Sequence, residues 1–141
     1  MVVLDTDHLT LLQWEYDSPR NRLQTRLDEL GADQKGTSII SYEEQIRGWL
    51  AHVSQARTMA DQIRAYAKLQ RHLESFQRIP VVGFDEAAVS IFQRLKKSRL
   101  RVGTMDLKIA AITLAHNATL LTRNSADFRL VPGLKFEDWT I

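Results

Sequence analysis

Three carboxylates in this chain sit where an acid is able to do chemistry. Asp5 follows Val2-Val3-Leu4 directly, where an apolar strand would leave the core. Glu44 closes the run Ser41-Tyr42-Glu43-Glu44, and Asp106 comes two residues after Thr104. Each also has a plain structural use. Asp5 is able to cap the next helix, Glu44 to reach back to the Ser41 backbone in a capping box, and Asp106 to occupy a first helical turn that favours negative charge. The combination points further, because strand ends and helix starts gather along one edge of a parallel sheet. Two carboxylates about 4 Å apart repel by roughly 4 kcal/mol at an effective dielectric of about 20. Three such pairs would oppose folding by on the order of 12 kcal/mol, comparable to a whole domain's stability. A divalent cation removes that conflict, and oxygen-only ligation points to Mg²⁺ or Mn²⁺.

Other chemistries lack their residues. There is no cysteine, so disulfides and thiolate metal sites are excluded. His8, His52, His72 and His116 form no i,i+4 pair, which argues against zinc; they are expected at surfaces or helix ends. No Gly-x-Ser-x-Gly elbow marks a serine nucleophile, and no Walker-type glycine loop is present. Asp5-Thr6-Asp7 does form an Asp-x-Asp after an apolar strand. That pattern serves haloacid-dehalogenase-type phosphatases, but no convincing later lysine and Gly-Asp loop accompany it.

The elements that must position the acids are readable from the hydrophobic spacing. Val2–Leu4 reads as a buried strand, and a helix starting near Thr6 carries Leu9, Leu11 and Leu12. Ser18-Pro19 marks a break, Arg20 to Leu30 resumes helical spacing, and Gly31 reads as a stop. Thr37 to Ile40 is expected as the second strand, with Ser41 opening a helix. Ala51 to Phe76 reads as one or two helices, and Ile79 to Val82 as the third strand. Asp85 is placed to cap a helix bearing Ala88, Ile91, Phe92 and Leu95. After Gly103-Thr104 comes an amphipathic helix with Leu107, Ala110, Ala111, Leu114 and Ala115 on one face, ended by Asn117 as a left-handed cap. Thr119 to Thr122 and Leu134 to Phe136 supply the last strands. Strands alternating with helices predict an α/β fold, a short parallel sheet flanked by helices, in a single domain over 1–141.

Charge is unevenly placed. Residues 47–101 hold 11 Lys/Arg against 4 Asp/Glu, or +7, and the rest of the chain holds 8 against 13, or −5. A basic middle beside acidic ends suits a polyanion next to a carboxylate cluster, although a solvated helical face gives the same count. Met1-Val2-Val3-Leu4 meets a charge at Asp5, so no export signal is read there. The longest uncharged run, Ile109 to Thr122, is too short to span a bilayer. These features predict a cytoplasmic protein.

Motif by motif, the chain resembles the PIN-domain ribonucleases, and among them the VapC toxins of bacterial toxin–antitoxin pairs. Val3-Leu4-Asp5-Thr6 is similar to their opening. Ser38 to Gly48 is similar to their second motif, whose glutamate lies four residues before a glycine, which selects Glu44 over Glu43. Asp106 to Ala111 resembles the third acidic motif, and Leu121 to Phe128 with Val131-Pro132-Gly133-Leu134 and Trp139 the closing segment. Residues 51–101 carry little that is diagnostic. The resemblance implies a metal-dependent endoribonuclease in which Asp5 and Asp106 bind Mg²⁺ (or Mn²⁺). Glu44 and Asp127 complete the acidic pocket, Asn124 orients Asp127 or a water, and Thr6 supports through its hydroxyl or caps a helix. It also implies an RNA substrate, a homodimer and a cognate antitoxin whose tail occupies the acidic groove. Two departures stand out: Asp7 where Asn or Ser is common, and Asn124 where many relatives carry a fourth Asp. The alternative implied by Asn124 is a non-catalytic PIN-type module that binds RNA or protein. Trp14, Tyr16, Trp49, Tyr66 and Phe76 are candidates for stacking bases, or for core and dimer contacts.

Overall fold

The computed structural model describes all 141 residues. Val2–Leu4 (β1), Lys35–Ser38 (β2), Val81–Val82 (β3), Thr119–Leu121 (β4) and Lys135–Glu137 (β5) make one sheet, ordered β3-β2-β1-β4-β5. Every pairing is parallel. The helices are Thr6–Trp14 (α1), Ser18–Asp28 (α2), Ile39–Gln55 (α3), Met59–Phe76 (α4), Glu86–Lys97 (α5), Thr104–Ala115 (α6) and Ser125–Phe128 (α7). The α/β expectation holds.

Period-two alternation sends the strands' side chains to two cores. Val3 and Leu120 join Leu95 of α5 with Leu107 and Ile112 of α6. Val2, Leu4 and Leu121 join Leu9 and Leu11 of α1, Leu23 and Leu27 of α2, and Trp139. A sheet covered on both faces requires near-continuous apolar strands, which is why Val2-Val3-Leu4 reads as it does. The α6 helix departs from the amphipathic expectation. Leu107 and Ile109 through Thr113 are all buried, because the helix lies among β4, α3 and α5.

Boundaries moved where a side chain caps the backbone. Ser38 Oγ accepts from the Ser41 amide at 3.1 Å, so α3 opens at Ile39 and β2 ends two residues before the expected Ile40. Asp17 caps α2 through the Arg20 amide, and Pro19 belongs to that helix's first turn, where its missing N–H costs nothing. α2 ends at Asp28, and Gly31 leads into a 3-10 turn, Ala32–Gln34. Residues 51–76 fall in two helices, with Thr58 capping α4. The third strand begins at Val81 and the fifth is displaced by one residue. Asp85 caps α5 through the Ala88 amide, and Asn117 closes α6 with φ 48°, both as read. At Gly36 a Cβ would stand 2.9 Å from the Pro80 carbonyl oxygen, so glycine permits the β2–β3 approach. No helix is long and apolar enough to cross a membrane. Because all strands run the same way, Asp5, Ser38 and Thr122 emerge along one edge.

Candidate active site

Asp5 is the first residue beyond β1 and the N-cap of α1. Its Oδ1 accepts from the Thr6 amide at 2.8 Å, and its Oδ2 from the Thr122 hydroxyl at 2.7 Å. Its own amide donates to Leu121 O, continuing the β1–β4 ladder. The residue is only 6% exposed. Burial, with the nearby charges of Asp7 and Asp106, pushes its carboxyl up to about 7 despite the two hydrogen bonds. Asp106 lies in the first turn of α6. Its carboxyl is also raised, first by burial and then by the charges of Glu44, Asp127 and Asp7. These acids feel one another, as three motifs on one edge require.

Glu44 projects from α3 toward α1, and the Thr6 hydroxyl donates to its Oε2 at 2.8 Å. Ser41 Oγ lies 3.0 Å from the same hydroxyl. The capping box that was the structural alternative for Ser41 and Glu44 therefore does not form: Ser38 is the cap, and Glu44 faces the cavity. Thr6 is not a cap either, since Asp5 fills that position. Glu43 pairs with Arg47 instead. Asn124 caps α7, its Oδ1 accepting from the Asp127 amide and its Nδ2 donating to Asp127 Oδ2 at 3.0 Å. The Asn124 amide donates to Thr122 Oγ1 at 3.0 Å, so one run of hydrogen bonds joins Asp127 to Asp5.

Asp5, Thr6, Asp7, Glu44, Asp106 and Asn124 line a single cavity of about 510 Å³. Of the expected site residues, only Asp127 is absent from its wall, and it is hydrogen-bonded to Asn124. No three acidic or imidazole side chains converge tightly enough to close a ligand set by themselves. That spacing differs from three acids in mutual contact, and it fits Mg²⁺, which usually keeps several waters and takes one or two carboxylates. The donors are all oxygen, and the two carboxyls raised by burial and by like charge would be relieved by a cation.

Sequence reasoning missed three parts of the site. Thr122, which bonds Asp5 and Asn124, was legible only through register: Leu121 pairs with Leu4, so the next residues are neighbours. Ser41 was read as a cap rather than as a partner of Thr6. His8 was expected near a surface and is fully buried. Its Nδ1 donates to Asp7 Oδ1 at 2.8 Å, and its Nε2 accepts from the Trp139 amide. Asp7 Oδ2 accepts from the Arg123 amide at 2.9 Å. Burial alone would raise the Asp7 carboxyl, but the His8 and Arg123 hydrogen bonds outweigh it and hold it below the usual range. His72 is buried as well, against Tyr42 and Phe76, and burial pushes its pKa down.

Comparison with known proteins places the chain among similar sequences and folds. Ribonuclease VapC of Rickettsia bellii is 40% identical over 55 residues, covering 38% of this chain and 41% of that protein. Ribonuclease VapC2 of Rickettsia felis is 32% identical over 75 residues, covering 50% and 56%. The aligned parts thus span about half the length of these relatives. The structure of VapBC-1 from nontypeable Haemophilus influenzae superposes with a TM-score of 0.69 over 100% of both chains, at 26% identity. A family model described as PIN domain matches residues 2–134, from the strand that delivers Asp5 to the loop before β5, and on that match the chain belongs to the PIN-domain family.

Proposed function

We propose that this chain is a divalent-metal-dependent endoribonuclease, the toxin of a toxin–antitoxin pair, in keeping with the ribonuclease names of its curated relatives. The observation that carries the reading is the cavity at the strand ends, which holds Asp5, Glu44 and Asp106 with two of those carboxyls raised by burial and by like charge. Asp5 and Asp106 would hold Mg²⁺, or Mn²⁺ in its place. Such an ion would supply charge stabilisation at the phosphoryl oxygens and a more acidic water. Glu44, fixed by the Thr6 hydroxyl, takes a proton from the attacking water. Asn124 holds Asp127 through its side-chain amide, so Asp127 acts on the site from outside its wall and raises its negative potential. The charge of Asp127 still acts on Asp106, which favours catalysis over the binding-only alternative. A phosphatase of the Asp-x-Asp type would need Asp7 free as an acid, whereas both its oxygens are engaged by His8 and the Arg123 amide. The partners of the reading are an RNA substrate, a cognate antitoxin occupying the acidic groove and a second copy of the chain, in the cytoplasm. Cleavage of RNA in chelator, then with Mg²⁺ or Mn²⁺ restored, tests it: activity is expected only with metal. Full activity after rigorous metal removal would sink the two-carboxylate site.

A further inference from the structure

Beside the carboxylate cavity lies a second one of about 430 Å³, and the two share Thr10 and Glu44 as walls. Its other walls include Trp14 of α1, Gly48 and Trp49 of α3, and Lys68 of α4. We propose that this cavity is a stacking subsite for one unpaired nucleobase of a single-stranded RNA, flanking the phosphate that a cation on Asp5 and Asp106 would bind. The inference rests on the ribonuclease reading and names how its substrate is gripped.

Four observations carry it. The indoles of Trp14 and Trp49 are tilted by 42° with centroids 5.0 Å apart, and Trp49 also packs against His52 and His72; both tryptophans are half-buried and line the cavity, so part of each stays open to it. Arg71, which does not line the cavity, braces the Trp14 ring at 4.1 Å from its centroid. Gly48 sits inside α3, where glycine weakens a helix, yet a Cβ there would meet nothing within 4 Å. Packing within the chain does not require that glycine, and a side chain would project into open space at the cavity. Lys68 is exposed and in none of the chain's ion pairs. With His52 it connects this cavity to a third of about 320 Å³ that reaches Arg64. Asp61 also lines that third cavity and pairs with Arg64, which leaves Lys68 as the unpaired cation beside the aromatic wall. That arrangement suits a strand whose base stacks while its neighbouring phosphate meets Lys68. An apolar side chain of a protein partner would instead desolvate the exposed Lys68 ammonium without pairing it.

The test uses the full chain carrying Asp106→Asn, so that bound RNA stays uncut, and single-stranded oligoadenylate as the probe. Tryptophan emission is expected to be quenched on titration, with much weaker binding of duplex RNA. Adding Trp49→Leu should weaken oligoadenylate binding by about 5- to 150-fold. Gly48→Gln should weaken it too while the melting temperature does not fall, since glutamine is the better helix former; this arm stands if Trp49→Leu unfolds. In the cleaving background the loss should appear in KM rather than kcat. Parent-like binding by both variants, or equal binding of duplex, overturns the subsite while cleavage by the unmutated chain leaves the ribonuclease reading intact. Unchanged RNA binding with loss of antitoxin binding would make the cavity a protein-docking site and also overturns it. If the unmutated chain neither binds nor cuts single-stranded RNA with Mg²⁺, the ribonuclease reading itself fails.

Discussion

Adjacent glutamates of α3 have opposite surroundings, and the difference sets what each can do. Glu44 accepts from the Thr6 hydroxyl inside the carboxylate cavity, so its orientation is fixed relative to Asp5 one residue upstream. Glu43 pairs with an exposed arginine one turn on, an arrangement worth at most about 1 kcal/mol. Glu44→Gln is therefore expected to reduce RNA cleavage by about 100-fold or more, the usual contribution of a positioned acid or base. Glu43→Gln should keep most of the activity. Steady-state kcat/KM of both variants decides between them. The reverse ranking would mean that the second motif is aligned one residue out of register. Retained cleavage by Glu44→Gln with a lowered melting point would make the Thr6 contact purely structural.

At the level of elements, what was legible in the sequence followed from local rules. The apolar triplet Val2–Leu4, the Asp85 cap and the left-handed Asn117 are each dictated by neighbours in the chain, and each was found where expected. What was missed needed tertiary partners. Ile39 and Ile40 look like strand residues by β-branching, but the Ser38 hydroxyl satisfies the Ser41 amide and turns them into the first turn of α3. α6 looks amphipathic until its polar-side neighbours, α3 and α5, are known. His8 is buried because Asp7 and the Trp139 amide, far apart in sequence, satisfy both its nitrogens. The α3 boundary matters for the site, since it decides whether Glu44 is spent on a cap. Ser38→Ala should accordingly cost about 1 kcal/mol of stability, within the range for a lost cap, read from urea unfolding. An unchanged midpoint would return the cap to Ser41 and Glu44 to the backbone.

For the molecule as a whole, Asp5 links stability to pH and to metal. Its folded-state carboxyl lies at about 7 against an ordinary 3.8, with burial the main cause. A raised carboxyl contributes stability that is fully present below about pH 3.8 and is lost as pH rises through about 7. In chelator the unmutated chain should therefore weaken across that window, by on the order of 4 kcal/mol from this group. Asn at the same position cannot ionise and caps a helix as well as Asp, so Asp5→Asn should remove most of this pH dependence. It should melt higher than the unmutated chain at about pH 8 and much closer to it at about pH 4. Mg²⁺ should close most of that gap at the higher pH. Binding to the folded state adds about 3 kcal/mol at a hundredfold excess over Kd, which only the intact pair of Asp5 and Asp106 collects. Thermal melts of both proteins at the two pH values, in chelator and in Mg²⁺, separate this account from a structural one. A cap lost without any charge relief would lower the variant's stability under every condition, and the unmutated chain would then show no shift with Mg²⁺.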